Sequence, residues 1–233
     1  MRRLLLAAIA LASVRGQSLD PLVADPQHYQ LEFQNEWVRV LREHMGPRET
    51  MRMHQHPAPG AVIVFFTDRH NRLTGPDGVS QELRNPAEAV MWSTGGTHRG
   101  ENLTDAPFEA VQIEPRQGGS VAARPFTIGK LDATVVDPRH YHIELENEYV
   151  RVLRVTIGAY EKLALHEHPN TGAVLVQLTD QNLRLTQADG TARESRYAAK
   201  QVRWVEPGGP HQDENLSAMP LRFIRVELKL ASR

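Results

Sequence analysis

Short runs of apolar and β-branched residues, separated by turns, recur along most of the chain. The clearest runs are Val38 to Leu41, Ala61 to Phe66 and Val111 to Ile113, with partners in the second half at Val150 to Leu153, Ala173 to Leu178 and Ile224 to Leu228. Their length and composition are typical of β-strands. Turns rich in glycine and proline, such as Gly75-Pro76-Asp77-Gly78, separate the runs. The pattern predicts an all-β protein with an antiparallel sandwich or barrel in each half.

The second half of the chain repeats the first. Asp25-Pro26-Gln27-His28-Tyr29 returns as Asp137-Pro138-Arg139-His140-Tyr141, and the offset from Asp25 to Asp137 is 112 residues. After one inserted residue, the offset from His98 to His211 is 113 residues. So many ordered matches identify an internal duplication. We therefore predict two tandem β-barrels, residues 25–116 and 137–229, joined by a linker at 117–136.

The first residues have the pattern of an export signal. Arg2 and Arg3 precede an apolar run from Leu4 to Ala12, which is too short to span a bilayer. Val14-Arg15-Gly16 then offers a cleavage site before Gln17. We predict a cleaved signal peptide at residues 1–16, a mature protein without a membrane span, and a periplasmic or secreted location. An N-terminal anchor is the alternative.

Composition restricts the classes of function. Apolar content of 40% and charged content of 24% are ordinary for a soluble globular protein. A net charge of −1 gives no electrostatic reason to expect a nucleic-acid partner. The chain has no cysteine, which excludes disulfides and thiolate ligands. It also lacks a Gly-x-Ser-x-Gly elbow, a P-loop and a dinucleotide fingerprint, so no catalytic acid, base or nucleotide-binding residue is assigned.

Histidine is abundant, and six of the 11 histidines recur as two sets of three. Each half has a His-x-His pair, and residues two apart on a strand share one face. A third histidine follows a glycine turn in each half. Three imidazoles suit zinc, iron, copper or nickel and leave coordination positions open. The predicted metal ligands are His54, His56 and His98 in the first half, and His166, His168 and His211 in the second; a purely structural cluster is the alternative.

With these motifs the chain resembles the cupin superfamily, specifically a two-domain bicupin. The first cupin motif is matched by His54-Gln55-His56-Pro57 and its repeat, and the second by Gly95-Gly96-Thr97-His98 and its repeat. The resemblance covers nearly all of residues 25–229 and implies a jelly-roll barrel per repeat with a metal inside its mouth. The glutamate usual in the first motif is absent, since Gly60 and Gly172 or their neighbours stand there. We therefore expect three-histidine centres with no carboxylate.

Such a centre indicates a class of ligand and, by resemblance, a class of reaction. Three neutral imidazoles leave a divalent ion its full charge, which favours an anionic or bidentate oxygen ligand. Three-histidine cupins include iron dioxygenases, so the resemblance implies an Fe(II)-dependent dioxygenase acting on a small oxygen-bearing molecule. A zinc, manganese or nickel isomerase or lyase is one alternative, and an exported module that binds metal or a small ligand without turnover is another. A monomer and a homodimer are both compatible with the sequence.

Other repeated residues are predicted to have supporting roles. His28 and His140 precede the first strand of each repeat and are expected to pack a turn. Asn102 and Asn215 follow the third histidine by four residues and are candidates for orienting a ligand. Trp92 and Trp204 are expected in the barrel core. The recurring arginines are expected on solvated strand faces or in salt bridges at strand edges; they are Arg39, Arg42, Arg151 and Arg154.

Overall fold

A computed structural model describes residues 18–116 and 126–229 of the chain. The predicted signal peptide at 1–16 and residues 117–125 of the predicted linker lie outside the described residues. Within the described ranges, no helix has the length and apolar character needed to cross a membrane.

The described part of the first half consists of one short helix and nine strands. They are α1 (Pro21–Ala24), β1 (Tyr29–Gln34), β2 (Val38–Met45), β3 (His54–His56), β4 (Ala61–Phe65), β5 (Arg69–Thr74), β6 (Ser80–Asn85), β7 (Val90–Ser93), β8 (Gly96–Asn102) and β9 (Phe108–Pro115). They form a five-stranded sheet in the order β1-β2-β9-β4-β7 and a four-stranded sheet in the order β3-β8-β5-β6. The pairings within both sheets are antiparallel.

The second half repeats this arrangement. Its elements are α2 (Ala133–Val136), β10 (Tyr141–Glu146), β11 (Val150–Ile157), β12 (Ala173–Gln177), β13 (Gln181–Gln187), β14 (Ala192–Tyr197), β15 (Val202–Val205), β16 (His211–Asn215) and β17 (Leu221–Leu228). They form a sheet β10-β11-β17-β12-β15 and a sheet β14-β13-β16. Where β3 stands in the first half, a single bridge joins His166 to His211. Helix α2 falls in the range predicted as linker, and the boundary between the halves stays a prediction.

The all-β prediction is confirmed, but the predicted barrels are not closed. Among the described strands, no ladder of hydrogen bonds connects the two sheets of either half. Each half is instead a jelly roll of two facing sheets that meet through buried side chains. Leu41, Met45 and Phe65 belong to the cluster inside the first half, and Leu153, Ile157 and Leu175 belong to its counterpart in the second.

Alternation along the strands assigns each face of the larger sheets. In β2, Leu41 and Met45 face the interior of the first half, whereas Val38 and Val40 face outward. These outward valines share one buried cluster with Val150 and other residues of the second half. The two five-stranded sheets are therefore packed against each other, which removes their apolar outer faces from water.

The contact between the halves has two-fold pseudosymmetry. Arg42 donates to the carbonyl of Lys200 at 2.8 Å, and its repeat partner Arg154 donates to the carbonyl of Glu88 at 2.7 Å. Trp92 stacks on Tyr149 with ring centroids 5.5 Å apart and planes 8° from parallel. Trp92 was predicted inside a barrel, but it lies in the core between the two halves.

Candidate metal centres

The first three predicted ligands meet on one face of the smaller sheet of the first half. His54 on β3 is the direct antiparallel partner of His98 on β8, and His56 follows two residues later on the same face. The ring of His54 lies 4.7 Å from that of His98 and 5.0 Å from that of His56. One ring nitrogen from each residue lies within 4.8 Å of the others. The sequence-predicted set therefore forms one compact triad.

The second half brings its three predicted ligands together in the same way. His166 and His211 are joined by the isolated bridge, and their rings are 4.6 Å apart. The ring of His168 lies 5.2 Å from that of His166, and the candidate ligand atoms of all three again lie within 4.8 Å of one another. No predicted ligand is displaced from its triad. That these groups hold a metal stays a prediction.

Hydrogen bonds fix which nitrogen faces the centre of each triad. His54 Nδ1 donates to the carbonyl of Arg52 at 2.8 Å, and His166 Nδ1 donates to the carbonyl of Ala164 at 2.9 Å. A carbonyl only accepts, so Nε2 of each neutral ring carries the lone pair. His56 Nε2 is buried and has no hydrogen-bond partner among the described residues. Converging lone pairs of this kind suit a divalent metal ion.

Burial lowers the pKa of four of the six triad imidazoles. It lowers the pKa of His54 to about 4. Burial and the neighbouring imidazoles lower the pKa of His98 to about 3. In the second half, burial likewise lowers the pKa of His166 and of His168. At neutral pH these rings are therefore in the form that coordinates a metal.

A buried carboxylate accepts a hydrogen bond from the second histidine of the first triad, on the side of the ring that faces away from the centre. His56 Nδ1 donates to Glu114 Oε1 at 3.1 Å, while Arg39 Nε donates to Glu114 Oε2 at 2.6 Å. Glu114 lies on β9 and is only 1% exposed. A carboxylate bonded to the far nitrogen of a ligating histidine fixes its ring and raises its basicity. Sequence reasoning missed Glu114, although its repetition as Glu227 on the corresponding strand β17 was a signal for it.

The second half repeats this support with a fully buried arginine. His168 Nδ1 donates to Glu227 Oε1 at 3.1 Å, and Arg151 Nε donates to Glu227 Oε2 at 2.6 Å. Arg151 also pairs with Asp132, the cap of α2, at 2.7 Å. Burial raises the pKa of Glu227, but the bond from His168 and the charge of Arg225 outweigh it and bring the pKa to about 2.

Two of the four recurring arginines therefore differ from the prediction. Arg151 is 0% exposed and Arg39 is half-buried, because each neutralises the carboxylate behind a triad. Arg42 and Arg154 match the prediction more closely, since they pair with Glu32 and with Glu144 beside the sheet edges.

A tyrosine hydroxyl also reaches each triad. Tyr29 Oη lies 3.0 Å from His54 Nε2, and Tyr141 Oη lies 2.9 Å from His166 Nε2. Because each Nε2 carries the lone pair, the phenol is the donor in both bonds. Sequence reasoning considered the preceding histidine of the repeated Asp-Pro-x-His-Tyr motif and missed the tyrosine. That histidine packs the turn as predicted, since His28 Nδ1 bonds to Asp25 at 2.9 Å.

The predicted ligand-orienting asparagines do not contact the triads. The Asn102 amide donates to the carbonyls of Gly46 and Ala106, at 2.9 and 2.8 Å. Asn215 makes the equivalent bonds to Gly158 and Met219. These residues close the loops beside the strands, because their side chains point towards the turn and not towards the histidines.

The structure explains why no glutamate stands at the usual motif position of the first half. A Cβ at Gly60 would lie 1.9 Å from the Ser93 carbonyl oxygen, so no side chain fits there. The first triad has no carboxylate in this position. In the second half, however, Asp213 Oδ2 lies 3.8 Å from His166 Nε2 and 3.9 Å from His211 Nε2.

A cavity of about 150 Å³ adjoins the second triad. Its lining includes His168 and His211 together with Arg203, Arg225 and Gln181. The two arginines lie on β15 and β17, on either side of Leu175 in β12. Burial lowers the pKa of Arg203, whose Nε has no hydrogen-bond partner within the described ranges. The cavity therefore offers cationic donors next to the triad.

The same positions in the first half carry no cation. Met91 and Gln112 flank Ile63 where Arg203 and Arg225 flank its repeat partner. Gln112 donates instead to the buried carboxylate of Glu43 at 2.6 Å. The two interiors thus place their cations differently although the triads are alike, since the first half buries Arg69 where the second has Gln181.

Comparisons with known proteins agree with the fold. No family model matches the chain, and none of the characterised proteins compared with it matches in sequence. Among solved structures, AerE from Microcystis aeruginosa matches with a TM-score of 0.58 at 13% identity, over 86% of this chain and 92% of that chain. A cupin 2 conserved barrel domain protein from Leptotrichia buccalis matches with a TM-score of 0.50 at 6% identity, over 86% and 88%. Oxalate decarboxylase from Bacillus subtilis, a protein with Mn(II) centres, matches with a TM-score of 0.53 at 12% identity, over 90% and 77%.

At these identities the similarity concerns the fold. The matched structures cover most of the chain, including both of its halves, and each half is a jelly roll with a histidine triad. The chain therefore has the bicupin fold, with one candidate metal centre in each cupin domain.

Proposed function

We propose that this protein is a metal-dependent enzyme, an iron(II) dioxygenase that acts on a small anionic substrate bearing oxygen. The observation that carries the proposal is the convergence of three imidazoles in each half, with a carboxylate hydrogen-bonded to the far nitrogen of one ring of each triad. His54, His56 and His98 would hold one ion, and the repeated triad would hold another. When bound, a divalent iron supplies Lewis acidity and redox chemistry at positions that the protein leaves open.

The chain's own residues provide binding and orientation. Glu114 and Glu227 keep His56 and His168 in the tautomer that presents Nε2. Tyr29 and Tyr141 place a hydroxyl at the edge of each triad. If a metal took the histidine lone pair, this hydroxyl would be released to donate to a substrate oxygen. The jelly-roll walls bury His54, His56 and His166, and a low local dielectric strengthens the polar contacts of these rings.

The second domain is the better candidate for the place where the substrate binds. Its cavity has about 150 Å³, a volume that can hold a molecule of roughly the size of benzene. Arg203 and Arg225 face this space, and arginine binds carboxylates with paired hydrogen bonds. A small carboxylate next to His168 and His211 would therefore have its charge neutralised by side chains already in place.

Oxygen consumption tests the proposed reaction. Full-length protein loaded with Fe(II) is mixed with a panel of small hydroxy and keto carboxylates while dissolved oxygen is followed. A dioxygenase transfers both atoms of dioxygen to its substrate, so uptake needs no added reductant and ¹⁸O₂ labels the product twice. The variant His166→Ala should abolish uptake. Uptake that persists in this variant, together with uptake lost in His54→Ala, would move the chemistry to the first domain.

A lyase reaction with manganese is a second candidate, favoured by the paired arginines and by Asp213 beside the second triad. An arginine-bound carboxylate next to a metal centre is arranged for carbon–carbon cleavage as well as for oxygenation. The same substrate panel distinguishes the two, since a lyase releases carbon dioxide with Mn(II) and incorporates no atom of labelled dioxygen. Ligand binding without product under either metal would instead indicate a binding module.

We also propose that the protein is exported, on the pattern of residues 1–16. Expression of the full chain in a Gram-negative host, followed by mass analysis of the periplasmic fraction, tests this. A mature protein beginning at Gln17 is the expected result, and a full-length protein in the cytoplasm would contradict the proposal.

A further inference from the structure

The two candidate centres differ at one position, occupied by Asp213 in the second domain and by Gly100 in the first. Asp213 follows His211 by two residues on β16, so its side chain shares the face of the histidine. Gly100 follows His98 by two residues on β8, at the same place in the repeat. Asp213 is 6% exposed, which excludes the usual solvation of a carboxylate.

The Asp213 carboxylate faces the nitrogen atoms that His166 and His211 turn towards the centre of the triad. His166 Nδ1 donates to the carbonyl of Ala164, and His211 Nδ1 donates to the carbonyl of Gly209 at 3.0 Å. Each Nε2 therefore carries a lone pair, and these are the atoms that lie 3.8 and 3.9 Å from Asp213 Oδ2. Both separations exceed a hydrogen bond. The carboxylate oxygen and both nitrogen atoms therefore converge on one space that a cation can occupy, with the Tyr141 hydroxyl donating to His166 Nε2 at its edge.

The remaining contacts of Asp213 leave it free to bind such a cation. The Tyr141 hydroxyl lies 3.5 Å from Oδ2, at the limit of a hydrogen bond. Oδ1 is buried and has no partner in the part of the chain that the structure describes. The separations of Oδ2 from these two nitrogens are close to those of neighbouring ligands, since ligands about 2.1 Å from a tetrahedral ion are about 3.4 Å apart. Asp213 lies outside the 4.8 Å group that also includes His168, so coordination requires a small movement of its side chain.

We propose that Asp213 is a fourth protein ligand of the second centre, and that the two centres therefore differ in charge and in metal affinity. The inference rests on the metal binding proposed above. The first centre has three neutral ligands, whereas the second has three neutral ligands and one anionic ligand. An anionic oxygen ligand strengthens binding of a divalent ion, so the second centre binds metal more tightly and retains one open position fewer.

Titration of the metal-free full-length protein with Co(II) tests the proposal, with binding followed by calorimetry and by visible absorption. Wild-type protein should show two sites of different affinity, the tighter one lost in His166→Ala and the weaker one lost in His54→Ala. Asp213→Asn keeps the shape of the side chain but removes its charge. It should weaken the tighter site by about tenfold or more and change its Co(II) spectrum, leaving the weaker site unchanged; substitutions that only disorient a ligand already cost about 10–100-fold.

The reciprocal variant Gly100→Asp gives a second test that does not depend on a loss of function. A Cβ at Gly100 would lie 3.3 Å from Met51 Sδ, at the end of a flexible side chain, so the substitution is accommodated by a small shift. It should tighten the weaker site and give it the Co(II) spectrum of the second centre. Circular dichroism checks that both variants are folded.

The outcomes separate this inference from the proposal on which it rests. Wild-type protein that binds no Co(II) would overturn both. Two bound ions with affinities and spectra unchanged in Asp213→Asn would overturn the fourth ligand alone. A tighter site that is lost in His54→Ala and retained in His166→Ala would also overturn it, because the stronger centre would then lie in the first domain.

Discussion

His56 donates its Nδ1 hydrogen to the carboxylate of Glu114 over 3.1 Å, and this bond decides which ring nitrogen faces the centre of the first triad. The two residues lie 58 positions apart in the chain. Strand β9 delivers Glu114 from the larger sheet, and β3 delivers His56 from the smaller one. The site is therefore assembled between the two sheets of the jelly roll.

Removal of the charge of Glu114 should weaken metal binding at the first centre. In Glu114→Gln the amide can still accept from His56, but the carboxylate that raises the basicity of the ring is gone. We expect a loss of about 10–100-fold in affinity for Co(II) at that centre. Calorimetric titration of the metal-free protein measures it.

Glu101→Gln is the matched control, because Glu101 lies on β8 near the triad but pairs outward with Arg72 at 3.0 Å. Its affinity for Co(II) should equal that of the wild type. Equal affinities in wild type and in Glu114→Gln would show that the buried carboxylate has no influence on the site.

The stability of the metal-free protein should depend on pH through the triad histidines. Their pKa is about 6.5 in an unfolded chain, but about 4 for His54 and about 3 for His98 in the folded protein. Between these values the unfolded chain binds more protons, so the free energy of unfolding falls as the pH is lowered from about 6.5. Urea unfolding at pH 7.5, 6.0 and 5.0 measures the slope, and this range lies above the titration of most carboxylates.

The variant His98→Gln should show a shallower slope, because it removes one of the groups whose pKa is depressed. His142→Gln serves as its control, since His142 is exposed on β10 and should leave the slope unchanged. A slope in His98→Gln as steep as in the wild type would show that burial of this imidazole does not contribute.

The stability of the contact between the two halves should depend on two ion pairs related by the pseudosymmetry axis, in which the acidic and basic positions are swapped. Lys200 pairs with Glu109, whereas at the equivalent contact Glu88 pairs with Arg222 at 2.5 Å. Lys200→Glu places a glutamate opposite Glu109 and should lower the free energy of unfolding by about 1 kcal/mol, because such partly exposed pairs contribute about 0.2–1 kcal/mol and like charges repel. Chemical denaturation measures the loss.

The backbone accepts this substitution, since Lys200 has φ 66° and its repeat partner is Glu88 at φ 65°. Lys200→Gln is the control, because it removes the pair with Glu109 without adding a like charge and leaves the pair of Glu109 with Arg42 in place. If Lys200→Glu is no less stable than Lys200→Gln and the wild type, the charge at this position does not contribute to the contact between the halves.

Much of this architecture is visible in the sequence because the chain contains it twice. Repetition identified the two domains, and the His-x-His spacing placed two ligands of each triad on one strand face. The third ligand could be assigned because a glycine turn precedes it in both copies. Closure of the barrels could not be predicted, since strand length and spacing do not show whether the two sheets of a half exchange hydrogen bonds.

The supporting residues were harder to identify because their roles depend on contacts between distant strands. Glu114 and Glu227 are repeated glutamates on otherwise apolar strands, which is a signal for a buried carboxylate, but nothing local points from them to a histidine. Nothing in the local sequence distinguishes Arg151 from a surface arginine. Its buried role follows only from its ion pairs with Asp132 and Glu227 in the fold. Asp213 is not repeated in the first half, where Gly100 stands at the equivalent position, so a comparison of the two halves does not identify it.

The measurement that tests the account most directly is the number of metal ions bound per chain in four proteins. Wild type, His54→Ala, His166→Ala and the double variant that combines both substitutions are purified without chelator, reconstituted with Fe(II) under anaerobic conditions, desalted and analysed for metal. Two triads acting as independent centres predict about two ions in the wild type and about one in each variant, with none in the double variant. A wild-type protein that retains no metal, or a single variant that loses all of it, would contradict the presence of one metal centre in each domain.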